Sequence, residues 1–377
     1  AATFLPSQSP VPYRALVTRP ELAKTLARFG VHGANAFYHA DIAEKIVAAA
    51  NAAGATIATT DLTGYKVKER APWSRTIDGR TVITMPAPSA GGLMVLEVLS
   101  MYGAGSGSPL KAMGFGSSAY LHTMAEAMRG AIADRVRMAG DPDVETGVGT
   151  AFEHALDSEQ LSARRVRIVP NSTLQAPEFR TREHGTSHLV VADADGNVVA
   201  LTTSINDPFG ARVVAGDTGI ILNNQLDDFS APADIRGFGV VGLGPNRPRA
   251  GARPVSSMTP TIVLENGQPI LAVGGSGGER IATAVTQAAV ARLVFGLDPS
   301  VCVSAPRVHV DGGSTELLVD PEIADDVRQA LRARGETPKD EPFMLSAVQM
   351  VAWDRTGGGV RVFAASDPRK VGFSAAE

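Results

Sequence analysis

Cysteine is nearly missing from this chain: among 377 residues only Cys302 is one. That excludes an intrachain disulfide and any site built from several thiolates. Cys302 lies in the apolar run PSVCVSAP, where a small buried hydrophobe is expected. No apolar run reaches membrane-spanning length. A basic field is also missing. The formal net charge is −4 and the charges are interspersed, so nothing advertises nucleic acid or an anionic membrane as a partner. The chain starts at Ala1 rather than Met, with no signal peptide, as a processed, trimmed or partial chain would.

Several catalytic signatures are absent as well. There is no G-x-S-x-G elbow, no P-loop and no G-x-G-x-x-G; residues 274–280 read GGSGGER and fail the spacing. His184 and His188 are four apart but lack the intervening glutamate of a zinc helix, so both read as satisfied polar residues. His32 and His39 have no third ligand candidate nearby and read as surface or capping residues. No metal site and no cofactor is indicated.

What is present is globular: 44% hydrophobic and 20% charged residues supply a core for one large domain or two ordinary ones. The spacing predicts helices over 20–29, stopped at Gly30, and over 35–53. Thr59-Thr60-Asp61 reads as a helix cap. Strands 75–77 and 80–85 join through Asp78-Gly79. MPAPSAGG (85–92) opens a helix to Tyr102, its glycine pair serving tight packing. A long amphipathic helix covers 119–138, with Leu121, Met124, Met128, Ile132 and Val136 inside. A short helical stretch falls near 151–163, followed by a solvated basic run, Arg164, Arg165 and Arg167. Residues 171–173 form a glycosylation sequon that reads as a polar loop. Residues 231–253 read as a mobile lid or a surface loop. Strands 261–265 and 269–274, a helix to Phe295, strands near 307–310 and 316–319, a helix 321–334 capped by Asp320, and strands 346–353 and 359–365 complete the chain. Hairpins mixed with helices, without regular β-α-β alternation, predict an α+β fold of antiparallel sheets covered by helices.

The centre of interest is residues 184–230, a hairpin with Asp195-Gly196 at its tip, preceded by Gly185-Thr186 and followed by the polar cluster Asn223, Asn224, Gln225, Asp227 and Asp228. A threonine is a weak nucleophile unless a base adjoins it, and its own free α-amine can be that base. An α-amine titrates at roughly 7.7–8.0. Thr186 acquires one only if the Gly185–Thr186 bond is cut, and the small Gly185 leaves its carbonyl open to the Thr186 hydroxyl. Gly277 and Gly278, at the mouth of a helix, are candidate backbone donors for an oxyanion.

The blocks AFYHADIAEKIVAAANAAGATIATTDLTGYKV, MPAPSAGG, ADRVRMAGDPD, GTSH, AGDTGIILNNQLDDFS, RPVSSMTPTIV, GGSGGERI and ASDPR together resemble the γ-glutamyltransferase (γ-glutamyltranspeptidase) family of N-terminal-nucleophile hydrolases. The resemblance runs through nearly the whole chain. It implies a four-layer αββα sandwich of two stacked, mainly antiparallel sheets between helical layers. It also implies autocatalytic cleavage at Gly185–Thr186 into part of a heavy chain, residues 1–185, mostly helical, and a light chain, residues 186–377, which stay associated. By the same resemblance Thr186 is the nucleophile and Ser204 the hydroxyl that tunes its new amine. Asn206, Gln225 and Asp228 hold the α-amino end of a γ-glutamyl group, Ser256 and Ser257 its α-carboxylate side, and Gly277 and Gly278 form the oxyanion hole. The implied partners are a small γ-glutamyl amide such as glutathione and a water or amino-acid acceptor. The implied location is periplasmic or extracellular. Two departures stand out. The family's Thr-Thr-His is Thr-Ser-His here, and the chain is expected to begin partway into the family's heavy chain, with no arginine matching the family's carboxylate clamp. The alternatives are an amidase like the cephalosporin or glutaryl acylases of the same superfamily, and a non-catalytic relative that never matures.

Overall fold

The computed structural model describes residues 9, 11–12, 14–174, 179–180, 185–230, 239–240, 244–311, 315–341, 346–356 and 359–376. It divides into two compact units, Ala1–Glu69 with Asp207–Asn224, and Arg70–Asn206 with Gln225–Glu377.

The smaller unit is helical: α1 Pro20–His32, α2 Ala34–Tyr38, α3 Ala40–Ala52 and α4 Thr59–Thr63. Helix α1 passes through Gly30 and stops at Gly33, φ 61°. A glycine inside a helix costs only about 1 kcal/mol against alanine, so it takes a left-handed residue to end one. The expected helix 35–53 is two, broken where Ala40 takes φ 63°. Asp61 accepts from Ala58 N at 2.8 Å, as a cap should. Ile42, Ile46 and Ala215 make a small core. Thr25 Oγ1 donates to Thr218 O at 2.8 Å, and Lys45 pairs with Asp217 at 2.6 Å. Segment 207–224, from the middle of the sequence, is thereby tied into this unit. His32 and His39 are exposed.

The larger unit begins with the hairpin β1 Trp73–Ile77 and β2 Arg80–Thr84. Its two turn residues, Asp78 and Gly79, both take positive φ, which suits the twist of a two-residue hairpin. Helices α5 Gly91–Tyr102, α6 Pro109–Met113 and α7 Ser118–Met138 follow. Leu121, Met124, Met128 and Ile132 of α7 are buried as expected. The stretch predicted as one helix is two, α8 Val148–Ala155 and α9 Ser158–Arg167, because the Asp157 side chain accepts from the Glu159 and Gln160 N–H groups and starts a new helix.

After the two-residue strand β3 Phe179–Arg180 come β4 Thr186–Ala192 and β5 Val198–Ser204, then β6 Gly239–Val240, β7 Thr261–Glu265, β8 Gln268–Ser276, α10 Arg280–Leu293 and α11 Pro299–Ser304. The chain ends with β9 Val308–Val310, β10 Glu316–Val319, α12 Asp325–Ala333, β11 Thr337–Asp340, β12 Ala347–Thr356 and β13 Gly359–Ser366. Helix α12 starts at Asp325, later than the expected Pro321. Asp320 does not cap it: its carboxylate receives Arg369 Nη2 at 2.6 Å instead. Cys302 is buried, and burial pushes its thiol up to about 12.

Among the described residues the main sheet has the order β1-β2-β7-β8-β12-β13, and every neighbouring pair is antiparallel. Helices α5 and α10 cover one face of it. Hairpin β4–β5 stacks on the other, where Val190, Ala192 and Val198 pack against Ala272, Val351 and Trp353. Buried on both faces, β8 reads as a continuous apolar and small-residue run. The fold is α+β with two stacked sheets. The outward side of β4–β5 carries Leu189, Val191, Val199 and Leu201, all exposed. The parallel pair β10–β11 is a βαβ unit closed by α12.

The basic run of α9 is solvated only in part: Arg165 and Arg167 are exposed, as expected, while Arg164 is half-buried. Arg164 reaches Glu97 at 3.0 Å and also pairs with Asp134. Arg165 donates to Met101 O at 3.2 Å and lies over the Tyr102 ring. Burial pushes the Glu97 carboxyl up to about 7, against the opposing pull of Arg164 and Arg137. A carboxyl whose pKa is raised on folding holds its proton while the unfolded chain ionises, so its contribution to stability falls as pH rises from about 4.5 to about 7. Glu97→Gln should remove that slope. Urea unfolding at about pH 5 and about pH 8 should show the variant gaining on the parent at the higher pH, by up to about 3 kcal/mol. A difference independent of pH would contradict it.

Candidate active site

Thr186 is the first residue of β4 and Ser204 the last of β5, and they face one another in the hairpin register. Thr186 Oγ1 and Ser204 Oγ are 2.9 Å apart. Ser204 Oγ also accepts from Asn206 N at 2.9 Å. Gly185 N donates to Asn206 O, carrying the pairing one step past the strand. Asn206 is buried and holds φ 71°, a conformation that is costly for a residue with a Cβ and tends to persist where surrounding bonds fix it.

Gln225 and Asp228 lie on one turn of 3-10 helix, and the Gln225 amide donates to the Asp228 carboxylate. The turn is held from behind by Asn246, whose Nδ2 donates to Asp228 O at 2.7 Å and whose Oδ1 accepts from Val255 N at 2.9 Å. Asn246 is buried and falls in the stretch expected to be a lid or a surface loop. Residues 231–238 and 241–243 of that stretch lie outside the described residues. Residues 244–253 are anchored: Arg253 N donates to Asp141 at 2.8 Å and Arg249 Nη1 to Val144 O at 3.0 Å.

The turn between β8 and α10 supplies the glycines. Gly277 takes φ 129° and Gly278 φ 61°. A Cβ on Gly277 would stand 2.5 Å from Ser346 Cα, so the position admits no side chain. One small concavity is lined by Thr186, Ser204, Asn206, Gln225, Asp228, Ser256, Ser257, Met258, Gly278, Glu279 and Ile281. The fold thus gathers the expected polar set. Gly277 lies next in the chain to the wall rather than in it. Met258, Ile281 and Glu279 were not foreseen, although each sits in or beside a quoted block. A wider cleft of about 670 Å³ also reaches Thr186, but it gathers none of the other expected site residues.

His188 follows Thr186 on the same face of β4. Its Nδ1 lies 2.8 Å from Thr202 Oγ1, while its Nε2 is buried and meets no partner among the described residues. The reading of a fully satisfied residue is therefore corrected. Burial takes its pKa down to about 4, so the ring is neutral at neutral pH. Its ring also fills the space that a Cβ on Gly274 would occupy, Cε1 standing 2.2 Å from it. His184 lies outside the described residues. Elsewhere His122, Glu126 and Glu336 are buried together. Arg129 pairs with both glutamates and His122 Nε2 faces Val169 O at 2.9 Å, so this cluster carries its own cation.

The family model described as gamma-glutamyltranspeptidase matches residues 1–377. The chain belongs to the γ-glutamyltranspeptidase family. A glutathione hydrolase proenzyme of Escherichia coli (strain K12) is 34% identical over 377 residues, covering 98% of this chain and 63% of that relative. A glutathione hydrolase proenzyme of Pseudomonas sp. (strain A14) is 31% identical, covering 98% and 65%. The chain therefore spans just under two thirds of the length of these γ-glutamyltranspeptidase relatives. Among solved structures, a cephalosporin acylase from Bacillus halodurans superposes with a TM-score of 0.80 at 25% identity, over 97% of this chain and 64% of that one. This agrees with stacked antiparallel sheets under helices. Among the described residues no helix is long and apolar enough to cross a membrane.

Proposed function

We propose that the chain is part of a γ-glutamyl acyltransferase and hydrolase that matures by cleavage at Gly185–Thr186. The observation that carries this reading is the meeting of Thr186 Oγ1, Ser204 Oγ, Asp228 and Gly278 around one concavity. In the maturation step the Thr186 hydroxyl attacks the Gly185 carbonyl, the peptide C–N bond breaks with the proton passing to nitrogen, and water hydrolyses the resulting ester. Residues 1–185 and 186–377 then remain together, because β2 of the first pairs with β7 of the second from Arg80–Glu265 to Thr84–Thr261.

In the acyl-transfer step the Thr186 α-amine takes the proton from Oγ1, which attacks the γ-carbonyl of a substrate such as glutathione. The oxyanion is met by backbone N–H groups of Gly277 and Gly278. The leaving amine takes the proton, and water or an amino acid then releases the γ-glutamyl group from the threonine ester. Asp228, with Asn206 and Gln225, suits the α-ammonium as a charge-assisted partner. Ser256 and Ser257 suit the carboxylate side. The concavity is about 20 Å³, room for a water-sized group. A periplasmic or extracellular location is proposed from family likeness. The likeness to a cephalosporin acylase supports a second reading, an amidase for acyl groups that lack an α-amine.

N-terminal sequencing of the purified protein tests the first step: one fragment should begin Thr-Ser-His and contain 192 of the 377 residues. A single uncut chain would count for a relative that does not mature. Assay of γ-glutamyl and glutaryl anilides separates the two enzymatic readings. Asp228→Asn should raise KM for the γ-glutamyl anilide by about tenfold or more and remove its advantage over the glutaryl anilide. If the variant keeps that advantage, Asp228 does not bind the amine.

A further inference from the structure

The backbone of Ser256 is gripped from outside the site. Its carbonyl oxygen accepts from Ala90 N at 2.9 Å and from Arg135 Nη1 at 3.1 Å. Its N–H donates to Pro88 O at 3.1 Å, so residues 88–90 and Ser256 form a short bridge. The buried Ser89 hydroxyl donates to Met258 O at 2.6 Å, with Ser256 O 3.2 Å away. Gly91 closes the contact: a Cβ there would stand 2.0 Å from Thr259 Oγ1 and 2.5 Å from Ser257 O. The loop MPAPSAGG is thus a cradle for residues 256–259.

Arg135 reaches this cradle from the last turn of α7. Burial pulls its pKa below the ordinary arginine value, and the charges of Glu279 and Asp228 oppose that shift; it remains a cation. Those two acids share the concavity with Ser256 and Ser257. The guanidinium bonded to Ser256 O places a positive charge directly behind the serines, within reach of Glu279 and Asp228. A hydroxyl pair over a half-buried cation favours a carboxylate, while Asp228 favours an ammonium.

We propose that Arg135, with Ser89, is a positioning residue that holds Ser256 and Ser257 against the carboxylate of the acyl donor, and so makes the site selective for zwitterionic, amino-acid-like acyl groups. This rests on the γ-glutamyl reading of the same concavity. Arg135 acts through Ser256 and does not touch the reacting atoms.

The test compares the full chain with Arg135→Gln, Arg135→Lys and Ser89→Ala, using anilides of three acyl groups: γ-glutamyl, 4-aminobutyryl, which lacks the α-carboxylate, and glutaryl, which lacks the α-amine. Arg135→Gln should lower the preference for γ-glutamyl over 4-aminobutyryl by about tenfold, mainly through KM, and change the preference over glutaryl by less than about twofold. Arg135→Lys should restore part of it. Ser89→Ala should act in the same direction more weakly. An equal loss on all three anilides, or an unchanged preference, overturns the proposal. Amide hydrogen exchange supplies a readout that needs no turnover. In Arg135→Gln, Ala90 and Met258 should exchange about tenfold faster while α10 is unchanged, and unaltered exchange at those two amides also overturns it. A parent chain that cleaves none of the three anilides sinks the γ-glutamyl reading instead, and the exchange result then decides the positioning claim alone.

Discussion

Thr186→Ala is expected to abolish both maturation and turnover. The hydroxyl that attacks Gly185 is gone, so no second fragment forms, and without cleavage no α-amine exists to act as base. Losses of at least about 10⁴-fold in kcat/KM are the scale for removing a nucleophile from an otherwise intact site. Thr186→Ser keeps the hydroxyl and should still cleave, more slowly, since it loses the methyl group that restrains the rotamer. A denaturing gel over time and an anilide assay read both outcomes. Because Thr186 is buried at the end of a hairpin beside Ser204, the alanine variant should fold normally, and its melting temperature should stay close to the parent's. If Thr186→Ala still yields a fragment beginning at residue 186, the cleavage is carried out by another agent, and the nucleophile role of Thr186 falls with it.

Gly277→Ala is the second large expectation. The φ of 129° at this residue is one that alanine rarely adopts, and its Cβ would meet Ser346 backbone at 2.5 Å. Ser346 precedes β12, whose pairing with β8 runs up to Ser276. This end of the two central strands therefore cannot move away cheaply, and the turn itself must shift. Strain of this kind costs about 1–3 kcal/mol. The larger consequence is chemical: the N–H groups of residues 277 and 278 would no longer aim at one point. Losing one oxyanion donor costs about 10²–10³ in kcat. Steady-state kinetics on the γ-glutamyl anilide should therefore show a fall in kcat with KM less affected, alongside a lower melting temperature. A variant with the parent's kcat would remove this turn from the oxyanion role, whatever its stability.

Much of the local structure was legible without coordinates. Asp78-Gly79 marked a hairpin tip, and both residues indeed take positive φ. Asp195-Gly196 marked the tip of a hairpin after Thr186, and β4 and β5 flank it. Legibility failed where a residue's role depended on something remote. Arg164 looked like part of a solvated run with Arg165 and Arg167, and the other two are indeed exposed. Glu97 and Asp134, which bind Arg164, come from two other helices. Asn246 looked like part of a loose loop, yet it pins the turn that carries Asp228. Arg135 looked like one more charge on α7, and nothing in its neighbourhood along the chain announced that it would reach Ser256.

The polar residues of the site come from five separate places in the chain, and their chemistry could be named in advance only as a set of types. By itself the sequence determined the features that are settled within a few residues: which turns require glycine, where strands and helices begin, and that Thr186 follows a glycine at the head of a strand. These follow from backbone sterics and local hydrogen bonding, which act over one or two turns of chain. Only the tertiary structure decided which hydroxyl faces Thr186, which half-buried cation lies under the serines, and which arginines are paired. Those outcomes depend on sheet pairing and helix packing between distant segments, and burial then fixes the strength of every charge so enclosed.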